Sequence, residues 1–204
     1  LERALRHGAP EVRVAAAETL GSLSPGIVTA LQEGLTDEDP NVRRAAVEAL
    51  GKRGPRAIAV IQEALHDHDT GVRLATVAAL SKLGLPAIPA LLAALGDEEG
   101  EVRILAVEAL GEYGSLAIPA LQEAFQNEDS EVRIRAIQSL GQTGSLGIPS
   151  LERALEDTDV EVRVSAVEAL APMGLAAVPA LERASRDEAS KVADRAREAL
   201  RQLD

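Results

Sequence analysis

The chain has no cysteine and no tryptophan, and only one tyrosine, one phenylalanine and one methionine among 204 residues. Without Cys, neither a disulfide framework nor a thiolate metal site can form. Aromatic residues make up 1% of the chain, so the core must be built from Leu, Ile, Val and Ala. Positive charge is also scarce: 21 Lys and Arg stand against 33 Asp and Glu, for a formal net charge of −12. So acidic a chain, with almost no rings, is a poor match for phosphate backbones or stacked bases, and no nucleic-acid partner is expected. No uninterrupted apolar run approaches the ~20 residues of a membrane span, and no secretory signal opens the chain. No membrane partner is therefore expected, and a cytoplasmic location is the default. The chain starts at Leu1, inside a helical pattern and without Met, which reads as the remainder of a longer protein. What is present is ordinary: 46% apolar and 26% charged residues suit a folded chain of one or two domains.

An internal repeat dominates the sequence. Val12, Val42, Val72, Val102, Val132, Val162 and Val192 recur every 30 residues, as do Leu20, Leu50, Leu80, Leu110, Leu140, Leu170 and Leu200. Leu1, Leu31, Ile61, Leu91, Leu121, Leu151 and Leu181 form a third register. The period marks a single repeat domain, 1–204, with a partial first repeat (1–24) and full repeats at 25–54, 55–84, 85–114, 115–144 and 145–174. The last repeat, 175–204, reads as a C-terminal cap, because Arg197 replaces the Val of positions 47, 77, 107 and 167.

Each repeat reads as two helices. Asp39 is a good N-cap and Pro40 suits the first helical position. Val42, Ala46, Ala49 and Leu50 then form one apolar stripe, with Gly51 or Gly54 ending the helix. The other helix is a segment such as Ala117 to Phe125, with Pro119 near its start, where a missing N–H costs little. Nothing alternates with period two, so no strands are expected. Helix pairs this short cannot bury their apolar faces alone. Stacked, they make a continuous core, and the expected fold is all-α: a right-handed α-solenoid of about seven two-helix repeats.

Arg43, Arg73, Arg103, Arg133 and Arg163 follow the repeated Val, and Arg13 does so in the first repeat. The first turn of a helix disfavours a cation, so the placement needs a reason. Six residues before Arg43 and the four that follow it stand Asp37, Asp67, Asp97, Asn127 and Asp157. A guanidinium fork can bond such side chains and the turn carbonyls, within its own repeat or the next, so these residues read as a structural ladder. It stops at Ala193, where no following repeat needs alignment.

With its Asp-x5-Arg spacing, VRxxAxxAL helix and ~30-residue period, the chain resembles HEAT repeats, and most closely the short HEAT-like repeats of the phycobilisome-lyase type. That resemblance implies the solenoid fold over the whole chain. It leaves function open among bilin lyases, hydroxylases and plain binding scaffolds. The tidy period also allows an engineered or consensus-like scaffold without a natural ligand, although exposed positions differ between repeats.

The enzymatic branches can be tested residue by residue. The deoxyhypusine hydroxylase branch implies a His-Glu pair after the Val-Arg of several repeats. The matching positions here are Val14-Ala15, Arg44-Ala45, Leu74-Ala75, Ile104-Leu105, Ile134-Arg135 and Val164-Ser165. No His-Glu pair occupies any of them. HEAT-like DNA glycosylases imply a basic, aromatic-walled groove, which this composition does not provide. A bilin-lyase-type subunit or tetrapyrrole chaperone is the main alternative, but Tyr113 and Phe125 are the only rings and lie on different helices. His66-Asp67-His68-Asp69 is the most metal-like string, yet the same turn elsewhere is Thr36-Asp37-Glu38-Asp39, so the acidic pattern belongs to the turn. No nucleophile–His pair and no phosphate-binding Gly loop stand out. The expectation is no enzyme, no cofactor and no functional metal.

Function in solenoids sits on the concave face, lined by the second helix of each repeat. On a helical wheel, the residues one before, and two, three and six after, the repeated Val point away from the core. An aliphatic stripe results: Val14, Leu74, Ile104, Ile134 and Val164. Beside it run Glu18, Glu48, Glu108 and Glu168, with Glu101, Leu105, Arg135 and Gln138 filling the row. The stripe reads either as packing against the neighbouring repeat or as the floor of a groove. As a groove, centred on Ile104, Leu105 and Ile134, it suits a basic, amphipathic protein or peptide segment whose Lys and Arg meet the Glu row. Oligomeric state is not legible.

Overall fold

The computed structural model describes residues 1–22 and 28–203. Contacts cluster into two compact halves, Leu1–Ala109 and Leu110–Asp204. The repeat boundary expected at 24/25 falls on residues outside the described ones.

The N-terminal half holds α1 (Glu2–His7), α2 (Pro10–Ser22), α3 (Val28–Gly34), α4 (Pro40–Gly51), α5 (Ile58–Ile61), α6 (Thr70–Ser81), α7 (Ile88–Ala93) and most of α8 (Gly100–Gly111). The C-terminal half continues with α9 (Ile118–Ala124), α10 (Ser130–Gly141), α11 (Ile148–Ala154), α12 (Val160–Leu170), α13 (Val178–Ala184) and α14 (Ser190–Arg201). Odd-numbered helices are the first of each repeat and even-numbered ones the second. No strand occurs among the described residues. Each half is an all-α solenoid of stacked two-helix repeats.

Local chemistry sets the boundaries. Asp39, in extended conformation, accepts from the Asn41 N–H and so caps α4, with Pro40 as the first helical residue. Asp69, Asp129 and Asp159 cap α6, α10 and α12 in the same way. Helices α4, α8 and α10 end at the first glycine of the pair (Gly51, Gly111 and Gly141), α6 and α12 end without one, at Ser81 and Leu170, and the later glycine makes the turn in all five. Gly54 has φ +78° and Gly174 has φ +65°, conformations that side chains resist. A 3₁₀ turn leads into α5, α7, α9, α11 and α13, and all of these but α5 carry a proline within their first turn.

All three apolar registers meet in the core. Val42, Val72, Val102, Val132, Val162 and Val192 are at most 1% exposed, as are Leu31, Ile61, Leu91, Leu121, Leu151 and Leu181. Leu1, at 52% exposed, is an exception, and so is Val12 at 48%. Val12 lies at the end of the stack, where only α1 and one neighbouring repeat are at hand to cover it. Rings are not needed, because second helices approach closely through small residues. A Cβ on Gly51 would stand 3.1 Å from the Cβ of Ala79, and one on Gly141 3.0 Å from that of Ala169. At the other end, Arg197 is exposed, pairs with Asp194 and donates to the Ser185 carbonyl, so the last repeat presents a polar outer surface.

One stretch, Val160–Ala184, reaches the length and mean hydropathy (1.6) of a membrane span. Its backbone leaves helical geometry at Gly174 (φ 65°, ψ −145°), so α12 and α13 are separate helices. Val162, Leu170 and Leu181 are fully buried in the solenoid core.

Candidate functional site

The arginine ladder is present, with a division of labour that the spacing leaves open. Arg43 donates through Nε and Nη2 to both carboxylate oxygens of Asp67, at 2.7 and 2.8 Å, while its Nη1 donates to the Asp37 carbonyl at 2.8 Å. Each fork thus grips the aspartate of the following repeat, and the remaining nitrogen grips its own turn. Arg73 does the same to Asp97 and the Asp67 carbonyl. In the C-terminal half, Arg133 takes Asp157 and the Asn127 carbonyl, and Arg163 takes Asp187 and the Asp157 carbonyl. Arg103 donates to the carbonyls of Asp97 and Glu98. Arg13 starts the ladder with one bond to Asp37. The aspartate six residues before an arginine therefore serves the arginine of the repeat before.

These rungs are enclosed: the side chains of Arg43 and Asp67 are 4% and 8% exposed. Burial pushes the Asp67 carboxyl up, but the Arg43 bond, the Asp69 N–H and the nearby positive charge together hold it below the usual carboxylate range. Asp187 is held low first by its bond to Arg163. The His66-Asp67-His68-Asp69 string is thereby committed: Asp67 to Arg43, and Asp69 to the N-terminus of α6.

The face of the second helices differs from its sequence expectation. Val14, Leu74, Ile104 and Ile134 are half-buried rather than open, and Val164 is buried at 8% exposure, so Val164 is not a surface contact residue. The close approach of successive second helices draws their flanks together around this position. Leu105 and Arg135 are also half-buried. The open row is the polar one: Glu18, Glu48, Glu101, Glu108, Gln138 and Glu168 are all exposed. Ile104, Leu105, Glu101 and Glu108 belong to the N-terminal half, whereas Ile134, Arg135, Gln138, Val164 and Glu168 belong to the C-terminal half.

Grooves run between neighbouring second helices. In the N-terminal half one of about 390 Å³ is floored by Gly51, Ala75, Ala78 and Ala79 and rimmed by Glu48, Lys52 and Lys82. In the C-terminal half a groove of about 280 Å³ lies beside Gln138, Gln142, Ser165, Glu168 and Pro172. The next, of about 360 Å³, is crossed by Arg195 between Glu168 and Glu198. Arg195 donates to Glu168 at 2.6 Å and to Glu198 at 3.3 Å, and Lys191 pairs with Glu161. Arg135 pairs with Glu131 at 3.1 Å. Several carboxylates on this face thus already carry a counterion. Sequence reading missed Lys52, Lys82 and Arg195 as groove residues. The signal was available: Lys52 and Lys82 share one register of the repeat, and Arg195 shares that of Arg135.

Models of HEAT repeats match residues 1–81, 28–99 and 88–147, and a further HEAT repeat model matches 148–175. No curated protein matches the chain. Among solved structures, the complex of CpcE and CpcF of phycocyanin lyase from Nostoc sp. PCC7120 is 25% identical, with TM-score 0.53, covering 99% of this chain and 92% of that one. An archaeal HEAT-like repeats protein from Thermococcus onnurineus NA1 is 15% identical, with TM-score 0.52, covering 99% and 94%. Kap95p, in its structure with RanGDP, is 18% identical with TM-score 0.64, and this chain spans 35% of that longer one. The repeat models cover most of the sequence and the described helices follow the same two-helix plan: the chain belongs to the HEAT repeat family.

Proposed function

We propose that the chain is a non-enzymatic protein-interaction scaffold, and that a basic, amphipathic protein or peptide segment docks on the face of its second helices. The observation that carries this reading is the pairing of small-residue grooves with exposed carboxylates. Ala75, Ala78 and Ala79 floor a groove beside Glu48, and Gln138, Ser165 and Glu168 line another. Arg195 supports the choice of partner charge, because a guanidinium already bridges Glu168 and Glu198 there. The half-buried aliphatic side chains of each half, Ile104 and Leu105 in the N-terminal one and Ile134 in the C-terminal one, are those we would place against a ligand.

The test is titration with a Leu/Lys amphipathic helical peptide, followed by calorimetry at low and high salt. Exposed charges are screened within about 8 Å at physiological ionic strength, so binding should weaken as salt rises. Changing Glu18 and Glu48 to Gln should weaken it further while leaving the helical signal intact. Absence of binding, or binding indifferent to both salt and these substitutions, overturns the reading.

A second reading rests on the 25% identity to the CpcE–CpcF complex over nearly the whole chain. It makes this chain a lyase-type subunit or tetrapyrrole chaperone. A shift in visible absorbance on adding a bilin supports it, and a flat titration removes it.

A further inference from the structure

Neither the ladder nor the second-helix face accounts for the most exposed large apolar side chains among the described residues. Leu116, Leu146 and Leu175 are 65%, 64% and 79% exposed. They occupy matching turns of three successive repeats in the C-terminal half, each one or two residues after a glycine of positive φ (Gly114, Gly144, Gly174). The turns follow one another along one edge of that half. The residues around them carry no charge at all: 113–121, 142–151 and 169–181 contain no Asp, Glu, Lys or Arg, in a chain that is 26% charged.

The fold does not require leucine there. In the N-terminal half the matching turns carry Pro55 and Arg56, then Leu85 and Pro86. Leu85 is the only leucine among these, at 44% exposed, and Lys82 precedes it. Single exposed leucines are ordinary. Three on successive turns, each within an uncharged stretch of sequence, mark a contact surface.

We propose that this edge is the contact of a homodimer, covered by a second copy of the chain related by a two-fold axis. Charge selects the occupant. Two copies that each carry a net charge of −12 repel wherever charged faces meet, and an edge free of ionisable groups is where they approach at least cost. Shape points the same way. A two-fold contact must be complementary to itself. Here each leucine knob has a small exposed neighbour, Ser115, Ser145 or Ala176, with Leu175 one position earlier in its repeat than Leu116 and Leu146. One edge therefore supplies both knobs and gaps. An antiparallel copy sets Leu146 near the axis and Leu116 against the partner's Leu175. A lipid surface is a poorer fit, because the edge lacks the basic and aromatic residues that hold a protein at a bilayer interface. Three leucines from each copy make a small contact, so the dimer dissociates in the micromolar range.

Sedimentation velocity on the full chain, from about 1 µM to about 500 µM, spans that range. The wild type should move from one-chain to two-chain mass. Leu146→Asp, which sets two carboxylates face to face at the axis, should raise the dissociation constant at least about tenfold, the factor that 1.4 kcal/mol represents. Leu85→Asp should leave it unchanged. Circular dichroism checks that each variant is folded, and Leu146→Ser replaces Leu146→Asp if the latter is not. A wild type that stays single at the highest concentration overturns the proposal, as does a Leu146→Asp chain that pairs as before. Open-ended larger assemblies overturn it too. So does a single-chain wild type that floats with phosphatidylcholine vesicles, which assigns the edge to lipid.

Discussion

Arg43 and Arg195 both hold a carboxylate of another repeat, at 2.7 and 2.6 Å, yet they sit in opposite surroundings. The Arg43–Asp67 side chains are 4% and 8% exposed, whereas Arg195 and Glu168 are both 48% exposed. Similar distances therefore carry different weight. An enclosed ion is stable only while its partner and its hydrogen bonds stay in place, so a rung tolerates one geometry. An exposed ion can exchange its partner for water or another charge with little penalty. The ladder edge is fixed hardware, and the second-helix face is a surface on which charges can be exchanged.

The sharpest way to break this comparison is to remove one side of a rung. Asp67→Ala leaves Arg43 enclosed without its carboxylate and should cost on the order of 3 kcal/mol in a denaturation experiment. Replacing both partners with apolar residues, Arg43→Met with Asp67→Leu, should cost clearly less, since no charge is then stranded. Equal losses from the single and the paired change make the rung no more than filler. A smaller effect follows from pH. Because the folded Asp67 and Asp187 carboxyls lie below their unfolded values, the folded state takes up these protons later than the unfolded one. Their contribution is complete above the unfolded value of about 4 and is lost as pH falls through the lower folded values. Thermal melts should stay level on this account from neutral pH down to about 5, then drop below about 4, and the drop should shrink in the paired variant. The smallest change is expected from Arg195→Ala, which should leave the melting midpoint within experimental scatter. A clear loss there removes the distinction between the two edges.

Much of the fold is legible in the sequence because the same few residues recur in the same physical role. Asp39, Val42 and Gly54 mark a cap, a core position and the turn that follows a helix, and most of their copies repeat the message. The direction of the ladder is less legible. Asp37 and Arg43 are six residues apart, but Asp37 serves Arg13, because stacking brings the next repeat's turn within reach of each fork. The helical wheel places Val164 and Ile134 correctly away from their own helix's core side. It does not contain the neighbouring helix, and Gly141 against Ala169 shows how near that neighbour comes. Leu116, Leu146 and Leu175 escape the reading for the opposite reason. Leucine in a helical repeat is assumed to be buried, and only the outward turn after each glycine exposes it.

Every two-sided rung links residues 24 positions apart, from one repeat to the one after it. A gene that gains or loses a whole repeat therefore regains every rung, since the new neighbours present the same fork and the same carboxylate. A gene that gains a single residue in one of these turns moves an aspartate off its arginine and the carbonyl off the next. Length can change in steps of one repeat and hardly otherwise. The uninterrupted 30-residue period is then a record of which insertions the ladder has allowed.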